Sequence, residues 1–254
     1  MNANVRYLAI VSHTPHRLAG FYATHFGLRE LGRSPEGDVS LTDGFYNMTF
    51  LLHRPGIIEA GGRRVGIAVD DVEELEDRLE RHGAKLEPDE GGLHTGEFVV
   101  HDPNGLPVSV STTNFGVPDG KSSLPALVHV AQCAPDGEKV AEFMTEVMGL
   151  RKKSLDHWGR SGHFVGDDTT NVAILASAGE LRAYGRKPNL DRMYPGWNHF
   201  GFEAPSAEDI VAKLPAEAGA TLRTDRPRPK GYYRIWDPDG NHFDLRSLPA
   251  WRGE

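Results

Sequence analysis

Apolar residues along the chain form a pattern that appears twice. Two apolar runs typical of buried strands, Val5 to Ser12 and Leu127 to Ala134, are each followed by a segment with helical periodicity, His16 to Leu28 and Glu138 to Leu150. Both helical segments end in a Gly-Leu pair, and a glycine after an apolar-periodic stretch is a helix stop signal. We therefore predict that each half of the chain begins with a strand followed by a helix.

A second pattern follows the first in each half. The apolar strands Val65 to Val69 and Phe200 to Ala204 precede predicted helices at Val72 to His82 and Ala207 to Ala218, and each helix ends at a Gly-Ala pair. Turns of the form Asp-Pro-X-Gly come next, at 102–105 and 237–240, with strand-like residues on both sides. The chain therefore contains four copies of one unit, which predicts an α+β fold of tandem βαβββ units.

Composition suggests where the halves meet. Residues 114–124 are rich in Gly, Pro, Asp, Lys and Ser, which favours an exposed connection. We predict an N-terminal module at residues 1–113, a linker at 114–124 and a C-terminal module at 125–250.

Charge and composition argue against several classes of function. The 254 residues include 28 basic and 36 acidic side chains, a net charge of −8, without a basic stripe, which argues against a nucleic-acid partner. No apolar run reaches the roughly 18 residues of a membrane span, and the start lacks a secretory signal, so we expect a cytoplasmic protein without membrane contact. The single cysteine, Cys133, fits a buried strand residue in a reducing compartment.

The repeat offers a test for functional residues, because such a residue should be polar in one module and different in the other. Three positions pass the test, and all three lie in predicted strands of the C-terminal module. They are His129, matched by Tyr7; His199, matched by Arg64; and Asp244, matched by Ser109.

Taken singly, each of these residues could be a hydrogen-bonded core histidine or a strand-end aspartate. Together, two imidazoles and one carboxylate on separate strands form a 2-His-1-carboxylate site, which leaves positions open for substrate, dioxygen or water. The matching residues of the N-terminal module cannot form such a site. We therefore predict a metal site in the C-terminal module and a degenerate, supporting N-terminal module.

Three motifs of the second half resemble the vicinal oxygen chelate superfamily, which contains glyoxalases, bleomycin-resistance proteins and type I extradiol dioxygenases. They are the strand and helix ending in Gly149-Leu150, the strand Asn198 to Phe202, and the segment Asp237 to Leu245. The resemblance covers nearly the whole chain. It implies that each module forms a half-open β cup with flanking helices, and that His129, His199 and Asp244 hold a divalent metal.

A metal site in the C-terminal module alone is similar to the organisation of the extradiol dioxygenases, whose iron(II) binds a catechol and dioxygen side by side. The resemblance therefore implies iron(II), with manganese(II) or zinc(II) as alternatives. The sequence departs from the extradiol pattern at four places. Asp244 stands where Glu is usual, and Arg234 stands where a Tyr is expected. The run Thr224 to Tyr233 lacks an expected His, and Thr170-Asn171 replace the expected acid–base His.

Four side chains remain as catalytic candidates. His242 lies two residues before Asp244 and so shares its face, although it could also be an exposed turn-end histidine. Arg234 could pair with a substrate carboxylate or phenolate, or be a solvated strand arginine. The other two are Tyr184, in a long Arg-, Tyr- and Pro-rich segment at 180–197, and Tyr233 of the Tyr232-Tyr233 pair.

Three functions follow as hypotheses. The first is a mononuclear metal-dependent dioxygenase that uses dioxygen on a catechol-like or enediol-like small molecule. The second is a glyoxalase-type isomerase or lyase that keeps the metal but moves a proton. The third is a non-catalytic drug-binding protein whose cup is lined by Trp158, Tyr184 and Trp197. Exposed sheet edges also make a homo-oligomer a reasonable expectation.

Overall fold

The computed structural model contains two eight-stranded sheets, one in each half of the chain, with the same strand order. That order is β2-β3-β4-β1-β5-β8-β7-β6 in the first sheet and β10-β11-β12-β9-β13-β16-β15-β14 in the second. The structure describes residues 1–55, 63–89, 96–118, 120–153, 162–176, 195–214, 218–224 and 229–248. The fold is thus mixed α+β with two like halves, as predicted.

The strands of the first sheet are β1 (Ala3–Ser12), β2 (Arg29–Arg33), β3 (Val39–Thr42), β4 (Asn47–Leu52), β5 (Arg63–Val69), β6 (Glu87–Pro88), β7 (Phe98–His101) and β8 (Pro107–Ser111). Those of the second are β9 (Ala126–Ala134), β10 (Arg151–Lys152), β11 (Gly162–Gly166), β12 (Asn171–Ala176), β13 (Gly196–Ala204), β14 (Thr221–Leu222), β15 (Tyr232–Trp236) and β16 (His242–Ser247).

Strand pairing places the two halves in the same register. Tyr7 is opposite Gly66, which is opposite Ser109 on the next strand. In the second sheet, His129 is opposite Gly201, which is opposite Asp244. The residue correspondence read from the sequence is therefore the correspondence in space.

Among the described residues, the sheets are accompanied by the helices α1 (Pro15–Phe26), α2 (Val72–Arg81), α3 (Gly137–Glu142), which continues as a π turn over Phe143–Val147, and α4 (Ala207–Ala212). Gly27 ends α1 in the left-handed conformation that glycine adopts without strain. Helix α4 was expected to reach Ala218 but ends at Ala212, and residues 215–217 lie outside the described part. None of the helices in the described ranges is both long and apolar enough to cross a membrane.

One aromatic cluster joins the halves. Tyr22 and Phe26 of α1 contact rings of the second sheet as well as Phe50 of their own, with Tyr22 and Phe200 centroids 6.2 Å apart and Phe26 and Phe202 centroids 4.7 Å apart. Burying such rings supplies much of the hydrophobic stabilisation of a domain. The N-terminal half therefore packs directly behind the strands that carry His199 and Asp244.

The predicted linker is only partly an exposed connection. Phe115 and Val117 are buried, and Asn114–Gly116 forms a single 3-10 turn that directs the Phe115 ring into the first half. The polar composition of the segment indicated exposure, but Phe115 packs into an apolar cluster of the first sheet and is buried there.

Candidate functional site

His129, His199 and Asp244 come together on one face of the second sheet, which we call the C-terminal cup. They lie on the adjacent strands β9, β13 and β16 and are 4%, 8% and 2% exposed. The Nε2 atoms of the two histidines are 3.4 Å apart, and His199 Nε2 lies 3.5 Å from Asp244 Oδ2. The structure thus assembles the three side chains that the repeat comparison selected.

Hydrogen bonds on the far side of each ring fix the tautomer of both histidines. His129 Nδ1 lies 3.0 Å from Asn171 Oδ1, and His199 Nδ1 lies 2.8 Å from Asn198 Oδ1. An amide oxygen can only accept, so each Nδ1 carries the proton and donates it. Each Nε2 is then left with a lone pair directed into the cup, which is how outer partners prepare a histidine for a metal.

The carboxylate of Asp244 is held by two residues of the neighbouring strand β15. Arg234 lies directly opposite Asp244 and binds it as a fork, with Nε 2.6 Å from Oδ1 and Nη2 3.0 Å from Oδ2. Tyr232 donates its hydroxyl to Oδ2 at 2.5 Å. Burial alone would raise the pKa of Asp244, but the guanidinium of Arg234 and the hydroxyl of Tyr232 hold this pKa well below its usual range. Asp244 is therefore an anion paired with a buried guanidinium.

The two histidines, in contrast to Asp244, are kept neutral by burial. Desolvation lowers the pKa of His129 to about 4, although Asp244 and Asn171 oppose it. It lowers the pKa of His199 well below the usual value, again against Asp244. Both imidazoles are therefore neutral at pH 7, as a metal ligand must be.

A divalent ion fits the two histidines better than it fits the carboxylate. Two ligands about 2.1 Å from one ion and roughly at right angles are about 3.0 Å apart, and wider angles give about 3.5 Å, the range that the two imidazoles span. Asp244, however, is already bound by Arg234, whose Nη2 also lies 3.4 Å from His199 Nε2. In the described ranges, no three His, Cys, Asp or Glu side chains stand ready as a complete ligand set. Asp244 would have to shift within this arrangement to complete one.

The predicted catalytic residues divide into three groups. His242 and Arg234 lie in the cup, where the His242 ring stacks on His199 with centroids 5.6 Å apart. Tyr233 lies on the opposite face of β15 and packs against the main core, so its placement corrects the prediction that it acts in the cup. Tyr184 lies outside the described residues, as do Trp158 and most of the segment 180–197.

Tyr232, not Tyr233, is the tyrosine that reaches the cup. The signal that identifies it is the Asp-Pro-Asp-Gly turn, because a hairpin around that turn places Arg234 opposite Asp244 and Tyr232 opposite Arg246. Tyr232 and Arg234 then share one face by strand alternation. The guanidinium of Arg246 lies 4.0 Å above the Tyr232 ring, which adds a second cation to this wall.

The floor of the cup is apolar. Beyond His129 on β9 come Ala131 and Cys133, and beyond Asn171 on β12 come Ala173 and Leu175, which together form a separate buried cluster. The polar groups are thus confined to one end, a distribution typical of small-molecule sites.

The equivalent face of the first sheet, which we call the N-terminal cup, is lined by different side chains and is covered by Phe115. The ring of Phe115 stacks on Tyr7, with centroids 4.7 Å apart and planes 10° from parallel. Arg64 forms an ion pair with Asp89 at 2.6 Å, and Ser109 Oγ donates to the same carboxylate at 3.4 Å. The residues matched to the three candidate ligands are therefore engaged by Asp89 and by Phe115.

Comparison with known families matches both halves. A model of the Glyoxalase/Bleomycin resistance protein/Dioxygenase superfamily matches residues 126–245, and a model of the glyoxalase-like domain matches residues 8–111. No curated protein sequence matches the chain.

Solved structures match nearly the whole chain. The Mn(II)-bound glyoxalase from Novosphingobium aromaticivorans is 18% identical, with 96% of this chain and 81% of that one covered and a TM-score of 0.69. The 2,3-dioxygenase LapB from Pseudomonas sp. KL28 is 18% identical, with 100% and 95% covered and a TM-score of 0.65. The 2,2',3-trihydroxybiphenyl 1,2-dioxygenase from Sphingomonas wittichii strain RW1 is 17% identical, with 97% and 91% covered and a TM-score of 0.64.

At these identities the structural likeness shows the fold. The two family models, in contrast, cover both halves of the chain and coincide with the two sheets. The chain therefore belongs to the glyoxalase/bleomycin resistance protein/dioxygenase superfamily, with one such domain in each half.

Proposed function

We propose that the C-terminal cup is the active site of a metal-dependent dioxygenase that acts on a catechol-like or enediol-like small molecule. The observation that carries the proposal is the pair of neutral histidines, whose Nε2 atoms lie 3.4 Å apart while both Nδ1 atoms donate to asparagine oxygens. Arg234 Nη2 lies 3.4 Å from His199 Nε2 and offers that lone pair one positive partner, and a divalent ion between the two Nε2 atoms would be bound by both lone pairs at once.

His129 and His199 would hold the ion through Nε2, and Asp244 would complete the set by sharing an oxygen now bound by Arg234. Iron(II) bound there would polarise two vicinal substrate oxygens and allow electrons to pass between substrate and dioxygen. The extradiol dioxygenases among the structural neighbours make iron(II) the first choice, and the Mn(II)-bound glyoxalase makes manganese(II) the second.

The protein's own residues have complementary tasks. Arg234 can turn part of its fork from Asp244 towards a substrate oxyanion, because its Nη2 already lies between Asp244 and His199. His242 stacks on His199 and so lies within the cup, where it can move a proton to or from the bound substrate. Ala131 and Ala173 leave an apolar floor for a flat ring.

One observation favours a second candidate. The Arg234–Asp244 fork neutralises the carboxylate without any metal, so the cup could instead bind an anionic aromatic ligand directly on Arg234. This candidate is a binding protein or a metal-independent enzyme of the same superfamily. A glyoxalase-type isomerase is the third, and it shares the metal with the first.

The test is metal analysis of protein purified without oxygen, followed by oxygen uptake on a panel of catechols. Wild type is compared with His199→Ala and with His101→Ala, which removes an exposed histidine of β7. We expect about one iron per chain and oxygen uptake in wild type and His101→Ala, with both lost in His199→Ala.

The other outcomes separate the alternatives. Bound metal with substrate turnover but no oxygen uptake would replace the dioxygenase with the isomerase. Metal-free wild type that binds anionic aromatics, and loses them in Arg234→Met, would overturn the metal proposal in favour of the second candidate.

A further inference from the structure

A half-buried arginine of the first half donates hydrogen bonds to the strand that carries His199. Arg63 is the first residue of β5, and its Nη1 donates to the backbone carbonyls of Trp197 at 3.2 Å and Asn198 at 2.7 Å. Its Nη2 donates to Asn241 Oδ1 at 3.1 Å. In the repeat, Asn198 is the residue that matches Arg63, so the contact joins equivalent positions of the two halves.

These carbonyls lie at an interruption of the second sheet. The pairing of β13 with β9 shifts register between Trp197 and His199. At such a bulge the backbone is only partly held by the strand ladder, and the direction of the next side chain depends on local contacts. The guanidinium supplies several donors in one rigid plane, which suits it to fixing two successive carbonyls at once.

Both segments that Arg63 contacts lead to the cup. Asn198 uses its side-chain oxygen to accept the proton of His199 Nδ1 at 2.8 Å. Asn241 belongs to the turn before β16, where its Nδ2 donates to Asp237, and Tyr22 of the first half also donates to Asp237 at 2.9 Å. Arg63 is therefore linked to His199 through Asn198, whose side chain accepts the proton of His199 Nδ1. On the other side it binds Asn241, the residue before His242.

The energetics argue against an incidental contact. Desolvation lowers the pKa of Arg63, and the negative charge of Asp237 only partly opposes this. Placing a guanidinium in such surroundings is costly unless its hydrogen bonds are well made. The side chain of Arg63 meets this cost with three hydrogen bonds, which its Nη1 and Nη2 donate to three acceptors of the second half.

We propose that Arg63 is a positioning residue for the C-terminal cup: from the first half, it holds the Trp197–Asn198 backbone so that Asn198 keeps His199 in the tautomer with an unprotonated Nε2. The proposal rests on the proposed function in one respect, because it assigns that lone pair to a metal. It gives the degenerate half a direct task in the active site.

Adjacent residues of β5 supply the variant and its control. Arg63→Met removes the three hydrogen bonds that Arg63 donates. Arg64→Met instead breaks the Arg64–Asp89 ion pair of the N-terminal cup and keeps the hydrogen bonds of Arg63 to β13. Arg63→Lys keeps the charge but can reach fewer acceptors. All three are made in the full chain, and their folding is confirmed by circular dichroism and thermal unfolding.

Two readouts are measured. Long-range proton–nitrogen NMR of the metal-free, 15N-histidine-labelled protein reports the tautomer of His199, whose signals are assigned by their loss in His199→Ala. Titration with Mn²⁺ followed by electron paramagnetic resonance reports affinity. We expect a single Nδ1-protonated form in wild type and Arg64→Met, and a mixture of tautomers in Arg63→Met with Mn²⁺ affinity about tenfold weaker, the low end for outer-shell changes.

The outcomes separate the two proposals. If wild type itself fails to bind Mn²⁺ or Fe²⁺, the metal proposal falls, and the tautomer comparison still decides the role of Arg63. If Arg63→Met shows the tautomer and affinity of Arg64→Met, Arg63 is only a structural contact and the inference is overturned. Should Arg63→Met not fold, Arg63→Lys decides: wild-type shifts and affinity overturn the inference, and mixed tautomers support it.

Discussion

The two cups have the same backbone and opposite interiors. In the N-terminal cup, Tyr7 is covered by the ring of Phe115, and Arg64 and Ser109 are bound to Asp89. In the C-terminal cup, the position of Tyr7 carries His129, whose Nε2 faces that of His199. In the N-terminal cup, Arg64 and Ser109 are thus bound by another residue of the same cup. The C-terminal cup brings two imidazoles, the carboxylate of Asp244 and the guanidinium of Arg234 together on one face, and the proposed ligand site rests on this difference.

A short deviation of the backbone produces the difference. Asn114 and Phe115 have positive φ angles of 54° and 53°, a conformation that costs a non-glycine residue about 1 kcal/mol. Burial of the Phe115 ring offsets that cost, as do the bonds from Asn47 Nδ2 to Phe115 O at 2.8 Å and from Phe115 N to Ser111 Oγ at 3.1 Å. The segment after the first sheet thus fills the first cup.

The largest effect should follow from emptying that cup. Phe115→Ala removes a ring that is 1% exposed and leaves a cavity beside Tyr7, so we expect the free energy of unfolding to fall by about 4 kcal/mol. Urea denaturation of the full chain measures it. Leu222→Ala, at a site 43% exposed, is the control and should change stability by less than about 0.5 kcal/mol. Equal losses in both variants would show that Phe115 is not part of the core.

The next effect concerns the ion pairs of the two cups. Arg234→Met leaves Asp244 buried without its guanidinium and should cost about 3 kcal/mol in protein kept metal-free with a chelator. Because a divalent ion can neutralise Asp244 instead, added Mn²⁺ should restore part of this stability. Thermal unfolding with and without Mn²⁺ measures both changes.

The matched variant is Arg64→Met, which breaks the 2.6 Å pair with Asp89 in the N-terminal cup. Arg64 is 25% exposed, so the loss should be smaller, about 1 kcal/mol, and Mn²⁺ should not restore it. If Mn²⁺ stabilised both variants equally, the ion would be acting elsewhere and the distinction between the cups would fail.

Sequence patterns predicted the repeat, the two sheets and the meeting of His129, His199 and Asp244. They succeeded because strand alternation and equal register in the two copies decide which side chains share a face. Alternation alone did not separate Tyr232 from Tyr233, since the choice depends on the register of the hairpin around 237–240. The partner of Asp244 followed from that same register and could have been found from it.

The filling of the first cup could not be predicted in the same way. The segment 114–124 has the composition of an exposed connection. Asn often adopts a positive φ, but a Phe gives no sign of one, so the conformation of Phe115 has no signal in the sequence. Arg63 was equally hidden, because its acceptors are backbone carbonyls far along the chain. Long-range contacts of this kind depend on how the halves pack, which local patterns do not encode.

A double-mutant cycle sharpens the account of the first cup. A Cβ at Gly66 would overlap the Phe115 ring and lie 2.8 Å from Tyr7 Cβ, so Gly66→Ala should destabilise the protein by about 2 kcal/mol. In the Phe115→Ala background the ring is absent, and the same change should cost less than half as much. Urea denaturation of the four proteins gives the coupling energy. Additive costs would mean that Gly66 is required for another reason, such as its contact with Tyr7.

The last prediction concerns Tyr7, the residue that matches His129, and the stability of the protein at alkaline pH. Burial raises the pKa of Tyr7 above the value of about 10 in an unfolded chain, so the unfolded state loses its proton first. The stability tied to Tyr7 is therefore fully present below pH 10 and is lost as the pH rises towards its folded pKa. At pH 11 the loss amounts to about 1.4 kcal/mol for this one group. Tyr7→Phe has no proton to lose, so its stability relative to wild type should improve by that amount between pH 8 and pH 11, measured by urea denaturation at both values. Parallel curves for the two proteins would show that Tyr7 reaches solvent in the folded state, and the N-terminal cup could then no longer be described as closed by Phe115.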